Sequence, residues 1–287
     1  MNILWVFAHP DHRSLNGSLR DAALKHLADL GHLVEESDLY RMGWNPVVDA
    51  ADYDHDPSDR LHVATASSTA LRAGKLSPEV VAEQHKLRRA DAVVLQFPLW
   101  WFSMPAILKG WVDRVFVEGF GYGIRCTTGG TRRYGDGLMA GKRAMIVTSM
   151  GGSEHTVSPR GINGELGELL FPIQHGFLWY TGMSVLDPVL IPSADRMTES
   201  DYDAIESSLR TRLDGLFTEP PIPYRHQHGG EYDAQFVLRP EFATGEVGGR
   251  VHIRCPLSSL RSRPCRRWRR LPGLRERSRS RSAGRCG

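Results

Sequence analysis

Residues 8–19, Ala-His-Pro-Asp-His-Arg-Ser-Leu-Asn-Gly-Ser-Leu, concentrate hydrogen-bond donors directly after a short apolar run. The apolar run predicts a strand and the leucine spacing that follows predicts a helix, so this turn lies at a helix N-terminus. Free N–H groups and the positive end of the helix dipole suit such a turn to binding a phosphate group. The side-chain donors and the added positive charge come from His9, Ser14, Asn16, Ser18 and Arg13. The alternative is ordinary helix capping by Ser14 or Asn16.

The same turn can be compared with known nucleotide-binding and metal-binding motifs. It contains neither G-x-G-x-x-G nor G-x-x-x-x-G-K-[S/T], so neither a dinucleotide-binding Rossmann loop nor a P-loop is indicated. His9-Pro10-Asp11-His12 resembles the metal-binding motif of zinc-dependent N-deacetylases, in which His9 would be a ligand and Asp11 a general base. The acidic pair of that family is replaced here by His12-Arg13, and no H-x-x-H follows downstream. A zinc-dependent N-deacetylase therefore stays as the weaker alternative, and no metal site is predicted.

A loop of large apolar side chains, residues 99–102 (Leu-Trp-Trp-Phe), follows a run of β-branched and aromatic residues at 93–97. Such a run is typical of a strand buried on both faces, and Pro98 ends it. Rings at the carboxyl end of a parallel strand lie where open α/β sheets bind their ligands. We therefore expect the side chains of residues 99–102 to be exposed, with Trp101 and Phe102 stacking on a flat ligand.

The helix predicted after this loop contributes to the core. Ser103 is expected to cap it, with Pro105 in its first turn. Apolar residues then recur at helical spacing, and Trp111 and Phe116 are expected inside the protein.

A third loop, Ser149-Met150-Gly151-Gly152, follows another strand-like run. Paired glycines let the backbone approach a ligand closely and direct N–H groups at it, although a tight turn without a ligand is the alternative. The three loops end predicted strands whose carboxyl ends share one edge of the sheet. They suit a ligand that combines a phosphate, a flat ring and a polar ring edge, as a flavin nucleotide does.

The elements that position these loops follow a strand–helix–strand order, which predicts a doubly wound, flavodoxin-like α/β fold. We expect a five-stranded parallel sheet with helices on both faces. The predicted strands are 3–7, 33–39, 93–97, 144–149 and 184–191, with 33–39 near a sheet edge and Pro188 interrupting the last one. Residues 41–75 are predicted to be irregular.

Charge divides the chain into an acidic body and a basic tail. Residues 251–287 contain 12 Arg and one Glu, so they carry +11 and residues 1–250 carry −8 of the overall +3. We expect a flavin-binding domain at 1–217, an extended arm at 218–254 and a disordered Arg-rich tail at 255–287. No nucleic-acid binding is expected of the folded part, and an RNA-binding tail is the alternative.

The cysteines and the hydropathy pattern indicate the cellular compartment in which the protein is expected. Cys126 stands alone in the body, and Cys255, Cys265 and Cys286 lie in the tail without metal-like spacing. The first residues lack the basic region of a signal peptide, and polar residues and prolines interrupt the longest apolar stretch, 92–112. A cytoplasmic protein that does not insert into membranes is expected.

Taken together, these motifs resemble the NAD(P)H:quinone oxidoreductase (DT-diaphorase) family of flavoproteins and its bacterial relatives. The resemblance covers residues 1–220, and the stretch from Gln96 to Trp111 is highly specific. The matching segments are 8–9, 14–16, 36–40, 76–78, 96–102, 105–111, 151–152 and 171–176.

The resemblance implies a flavin-dependent homodimer with sites at the interface. The cofactor would be FAD, with FMN as the alternative, and hydride would pass from NAD(P)H through the flavin to a quinone or similar acceptor. The implied cofactor contacts are His9, Ser14, Leu15, Asn16, Ser18, Pro98, Leu99, Trp101, Phe102, Ser149, Met150, Gly151 and Gly152. Tyr122, from the second subunit, and Tyr180 would line the acceptor pocket.

Two positions depart from the family pattern. Where mammalian members have a Tyr and a His after the paired glycines, this chain has Val157 and Asn163. Asn163 can donate a hydrogen bond but carries no charge, so the N–H groups of Gly151 and Gly152 would stabilise negative charge at the flavin. A reductase of another acceptor, such as a nitroaromatic, and a regulatory flavodoxin-like subunit of a potassium-efflux system remain alternatives.

Overall fold

A parallel sheet flanked by helices dominates residues 1–127 and 130–254, which are the residues that this computed structural model describes. The strands are β1 (Asn2–Phe7), β2 (Leu33–Asp38), β3 (Ala92–Pro98), β4 (Arg143–Ser149), β5 (Ser184–Val185) and β6 (Val189–Ile191). The helices are α1 (Leu15–Asp29), α2 (Val63–Ala73), α3 (Pro78–Arg89), α4 (Ala106–Val115), α5 (Leu166–Ile173) and α6 (Glu199–Asp214). Short 3-10 turns lie at Ala50–Tyr53, Glu154–Val157, Ala194–Arg196 and Gly249–His252, and a π-helical turn lies at Gln174–Trp179.

The strand order is β2-β1-β3-β4, and both β5 and β6 pair with β4. All of these pairs are parallel. This is the strand order of flavodoxin-like sheets, so the predicted fold class is confirmed, as is the edge position of β2. The strand predicted over 184–191 forms two short segments, and Pro188, which has no N–H to donate, lies between them.

Alternate side chains of the sheet enter two separate cores. Leu4 and Val6 of β1 face a core shared with α3, α4 and α5, whereas Trp5 and Phe7 face a core shared with α1 and α6. Every residue of β3 is buried, as expected of a strand covered on both faces. Helices therefore lie on both sides of the sheet, as the sequence predicts.

Helix α4 contributes its predicted side chains to the core, but it begins later than predicted. Trp111 and Phe116 are buried, as predicted. Ser103 does not cap α4, because the helix begins at Ala106 and Pro105 occupies the position before it. Ser103 instead donates its N–H to the carbonyl oxygen of Trp100 at 3.0 Å and closes the preceding turn.

The prediction that residues 41–75 are irregular is wrong. This segment contains a 3-10 turn at Ala50–Tyr53 and the 11-residue helix α2. The buried guanidinium of Arg114 organises it by binding the carboxylate of Asp52 and the carbonyl oxygen of Asn45. Asp52 and Arg114 are 62 positions apart, so local sequence patterns do not reveal this contact.

The Arg-rich tail and the absence of membrane insertion were also predicted from the sequence. The Arg-rich tail predicted at 255–287 lies outside the described residues. Within residues 1–127 and 130–254, no helix combines the length and apolar character needed to cross a bilayer.

Gly17, in the first turn of α1, lies against the main chain of the loop before the helix. A Cβ atom at this position would lie 1.9 Å from the carbonyl oxygen of His12. The N–H of Gly17 donates to Ser14 Oγ at 3.1 Å, which caps the helix. The helix and the loop can approach this closely because residue 17 has no side chain.

Replacing Gly17 with alanine should lower the free energy of unfolding by about 1–3 kcal/mol, because the new methyl group meets backbone rather than a flexible side chain. Urea denaturation of Gly17→Ala and of wild type measures this difference. Gly176→Ala is the matched control, since a Cβ at position 176 meets nothing within 4 Å. Equal stability of the two variants would contradict the steric argument.

The imidazole of His175 lies at the centre of a group of stacked rings. Its centroid is 4.6 Å from that of Phe171, 5.0 Å from that of Tyr134 and 5.2 Å from that of His252. His252 belongs to residues 218–254, so this His175 ring cluster joins that segment to the end of α5. Burial, with a smaller contribution from the neighbouring His252, lowers the pKa of His175 to about 4.

The depressed pKa of His175 predicts a loss of stability in acid. An unfolded histidine binds a proton below about pH 6.5, whereas folded His175 does so only near pH 4. The stability contribution is therefore complete above pH 6.5 and falls as the pH drops from 6.5 toward 4, by on the order of 3 kcal/mol. His175→Phe should flatten this dependence in urea unfolding at several pH values. The exposed His85→Gln should retain it, and an identical pH dependence in wild type and His175→Phe would refute the assignment.

Candidate functional site

The three loops singled out in the sequence leave neighbouring strands side by side. Sheet-like hydrogen bonds continue past the strand ends: Ala8 N–H donates to Gln96 O at 3.0 Å, and Leu99 N–H donates to Ser149 O at 2.8 Å. Met150 N–H donates to Ile191 O at 2.9 Å. The loops therefore meet at the carboxyl edge of the sheet, beside the switch point between β1 and β3 where open α/β sheets bind ligands.

A buried glutamine fixes the first loop to the centre of the sheet. Gln96 Oε1 accepts from the indole N–H of Trp5 at 3.0 Å, and Gln96 Nε2 donates to the carbonyl oxygen of Asn16 at 2.8 Å. Gln96 and Trp5 are completely buried. No role was predicted for Gln96, although a lone amide in an otherwise apolar strand indicates a buried hydrogen-bonded group.

Asn16 and Ser149, both predicted to contact a cofactor, are brought together. Asn16 Nδ2 donates to Ser149 Oγ at 2.9 Å, and the Ser149 hydroxyl lies 3.2 Å from Asn16 Oδ1. Both side chains are buried. This pair links the first loop to the third.

Ser14 and His9 form the centre of the first loop. Ser14 Oγ lies 3.0 Å from His9 Nδ1 and donates to Asp11 O at 2.6 Å, while it caps α1. Asp11 binds the guanidinium of Arg13, and this hydrogen bond lowers the pKa of the Asp11 carboxyl. Of the other predicted residues in this turn, Ser18 is exposed. Leu15 packs against the core on the α1 side of the sheet.

The second loop presents bare aromatic surface. Trp101 is 95% exposed and Phe102 is 44% exposed. Both residues have left-handed backbone angles, with φ of 50° and 61°, which bulky side chains rarely adopt. Leu99 was expected among the exposed residues, but its side chain is 8% exposed, because it packs with the core beneath the loop.

The third loop is packed tightly against a neighbouring turn. A Cβ at Gly151 would lie 2.4 Å from Asp195 Oδ2, so the Asp195 side chain would have to move to admit any larger residue there. Gly151 O accepts from the Arg196 guanidinium at 3.1 Å, and Gly152 O accepts from Ser193 N–H at 2.8 Å. No sequence pattern indicates Asp195 or Arg196, because their contact with the glycines depends on tertiary structure.

The two positions that depart from the family pattern lie in the segment after the glycines. Val157 is buried in the core. Asn163 donates its N–H to Thr156 O at 2.9 Å and its side-chain amide to Thr156 Oγ1 at 3.1 Å. These two hydrogen bonds to Thr156 therefore hold the Asn163 amide in place.

Tyr180, predicted with Tyr122 to line an acceptor pocket, contacts Tyr134. The rings of Tyr134 and Tyr180 meet edge to face with centroids 5.1 Å apart, and Tyr134 N–H donates to Tyr180 O at 3.0 Å. Burial raises the pKa of Tyr122, and the nearby charges of Glu118 and Tyr180 add to the increase. The sequence analysis did not assign Tyr134 to this group.

The metal-site alternative is not supported by the geometry. Across residues 1–127 and 130–254, no three His, Cys, Asp or Glu side chains are arranged to hold a metal ion. His9 and Asp11 instead engage Ser14 and Arg13.

The chain matches the family model for the flavodoxin-like fold over residues 1–213. A ribosyldihydronicotinamide dehydrogenase-like protein of Penicillium crustosum is 44% identical over 259 residues, which cover 88% of this chain and 96% of the relative. NAD(P)H dehydrogenase (quinone) 1 of Rattus norvegicus is 38% identical over 242 residues, covering 83% of this chain and 86% of the relative.

Solved structures show the same relationship. A Klebsiella pneumoniae structure that carries a quinone reductase name superposes with a TM-score of 0.85 at 44% identity, covering 88% of this chain and 100% of that one. General stress protein 14 of Treponema denticola, solved with FMN, has a TM-score of 0.51 at 21% identity over 75% of this chain and 99% of that one, and shows the shared fold alone. From these matches, the chain belongs to the flavodoxin-like family that contains the NAD(P)H dehydrogenases (quinone), which confirms the resemblance inferred from the sequence.

Proposed function

We propose that this protein is a flavin-dependent NAD(P)H oxidoreductase that transfers hydride to a quinone or similar acceptor. The observation that carries the proposal is the convergence of three loops at one sheet edge, where the ring of Trp100 lies 6.4 Å from that of His9 and the ring of Trp101 is exposed. Relatives named for quinone reduction align over most of both chains, and this supports the same assignment.

The residues present fit a flavin nucleotide. The first loop offers a helix N-terminus, the second an open aromatic face, and the third a backbone that approaches closely because Gly151 and Gly152 lack side chains. FAD is the proposed cofactor and FMN the alternative. The residues proposed to hold it are His9, Ser14, Leu15, Asn16 and Ser18 at the phosphates, Pro98, Leu99, Trp101 and Phe102 at the ring system, and Ser149, Met150, Gly151 and Gly152 at its polar edge.

A bound flavin supplies the two-electron chemistry by accepting a hydride from NAD(P)H and passing it to the acceptor. The protein's part is to orient the ring and to stabilise negative charge at its polar edge. The N–H groups of Gly151 and Gly152 serve this purpose, with the neutral amide of Asn163 as a further donor. Val157, buried and apolar, cannot donate.

The acceptor side is proposed to involve Tyr122 and Tyr180. By family resemblance, the active form is a cytoplasmic homodimer in which Tyr122 reaches the site of the second subunit. The aromatic surface of residues 100–102 is large for an unpartnered loop, which agrees with cover by a ligand or by a second subunit.

An absorption spectrum of the purified protein tests the proposal directly. A flavin spectrum, mass identification of FAD or FMN, and quinone-dependent oxidation of NAD(P)H are expected. A colourless protein that takes up neither flavin would end the proposal. Flavin uptake without turnover would favour the regulatory-subunit alternative instead.

Trp101→Ala should weaken flavin binding roughly tenfold, because the ring that stacks on the flavin is lost. Titration of apoprotein with FAD and with FMN, followed by flavin fluorescence, measures the dissociation constant. Val247→Ala is a matched control, since Val247 is 89% exposed and lies in residues 218–254, the C-terminal segment. Equal flavin affinity of Trp101→Ala and wild type would show that the loop is not the stacking surface.

Asn163→His should raise the rate of quinone reduction several-fold at slightly acidic pH, because a protonated imidazole adds a positive charge near the polar edge of the flavin. Stopped-flow measurement of flavin reduction and reoxidation separates the two half-reactions. Asn163→Gln, which keeps a neutral amide, serves as the control. If the His and Gln variants share one rate at every pH, charge stabilisation does not limit the reaction.

A further inference from the structure

Two adjacent arginines lie beside the tyrosines of the proposed acceptor pocket. Arg132 and Arg133 directly precede Tyr134 in the chain. The guanidinium carbon of Arg133 lies 5.8 Å from the centroid of the Tyr134 ring, which in turn packs edge to face on Tyr180. The positive charge of Arg133 is therefore separated from Tyr180 by one aromatic ring.

The C-terminal segment holds Arg133 in this position. Arg133 Nε donates to Gln227 Oε1 at 2.6 Å, and its guanidinium carbon lies 4.9 Å from the centroid of Phe236. Gln227 is buried and binds the same loop twice more, through its Nε2 to Thr131 O at 3.1 Å and through its N–H to Tyr134 O at 3.3 Å. The arginine is thus fixed by a residue distant in sequence rather than left mobile in solvent.

Neither arginine has a carboxylate partner among the described ion pairs of residues 1–127 and 130–254. Other immobilised arginines do: Arg114 binds Asp52, and Arg225 binds Glu231. Arg132 donates to the carbonyl oxygen of Asp136, not to its carboxylate, which instead lies 3.7 Å from His226. The positive potential at this edge of the tyrosine group is therefore not cancelled by a paired acid.

We propose that Arg133, assisted by Arg132 and positioned by Gln227, makes this enzyme selective for substrates that carry an anionic group beside the acceptor pocket. The inference rests on the proposed function, in which Tyr122 and Tyr180 line that pocket. The anionic group is a carboxylate or sulfonate on the acceptor, or the additional phosphate that distinguishes NADPH from NADH. A fixed charge without a partner attracts such a group by long-range steering and by direct contact, and salt weakens both effects.

Steady-state kinetics of Arg133→Gln with four substrates test the proposal. The acceptors are naphthoquinone and a naphthoquinone sulfonate, and the donors are NADH and NADPH, each at low and at high ionic strength. We expect kcat/KM to fall roughly five- to tenfold for the substrate with the additional anionic group, the sulfonate or NADPH, mainly through KM. The value for the matching substrate without that group, naphthoquinone or NADH, should be unchanged. High salt should remove most of the difference between variant and wild type.

Matched variants separate charge from structure. Arg133→Lys keeps the charge and should retain most of the preference, whereas Gln227→Glu places a carboxylate against Arg133 and should abolish it. Arg210→Gln, on α6 and far along the chain, removes an arginine elsewhere and should change nothing.

The pattern of losses identifies the source of the anion. A loss confined to the sulfonate places the anionic group on the acceptor, and a loss confined to NADPH places it on the donor. An equal loss with every substrate, or no loss with any, overturns the proposal while leaving quinone reduction itself intact. Absence of turnover in wild type with all four substrates would instead reject the proposed function.

Discussion

The side-chain amide of Gln96 connects the parts of the molecule that define the candidate site. An amide in a strand buried on both faces is costly unless it is hydrogen-bonded, and Gln96 meets that condition through Trp5 on β1 and the Asn16 carbonyl on α1. The start of α1 is therefore tied to the centre of the sheet. The Asn16 side chain then pairs with Ser149, so the same series of contacts reaches the glycine loop after β4. The relative placement of the first and third loops depends on these buried polar groups, and the strand ends place the aromatic loop between them.

The parts that the sequence could predict are those set by local pattern. The uninterrupted apolar run of β3 and the capped start of α1 each leave a signal within a few neighbouring residues, and both elements are present. The 3-10 turn at Ala50–Tyr53, before α2, was missed because Asp52 is held there by Arg114, which lies 62 positions away. Asp195 was missed for the same reason, since it approaches Gly151 only after the sheet has formed. Contacts between distant segments leave no periodicity to detect.

The aromatic loop, residues 99–102, departs most clearly from the usual backbone conformations and burial of bulky side chains. Trp101 and Phe102 adopt left-handed backbone angles in succession, each at a cost of roughly 1–3 kcal/mol, and Trp101 remains almost fully exposed. The surrounding structure enforces this shape, because Trp100 N–H donates to Pro98 O and Ser103 N–H closes the turn onto Trp100. A fold tolerates such a departure where a ligand uses it. The backbone strain at Trp101 and Phe102 therefore favours a ligand-binding role for the loop that the family resemblance also assigns to flavin contact.

The two halves of the proposed site are fixed by different means. The cofactor half is built from strand ends and buried hydrogen bonds, so a change at Gln96 or Asn16 disturbs the sheet itself. The acceptor half is built from a loop held by the C-terminal segment through Gln227, and a change at Arg133 alters charge without touching the core. The first half can accept few substitutions, whereas the second can vary while the fold is retained. Val157 is part of the core, so under the proposed function negative charge at the flavin is stabilised by the main chain and the Asn163 amide. Under the proposed function, substrate selection is thus physically separable from flavin binding.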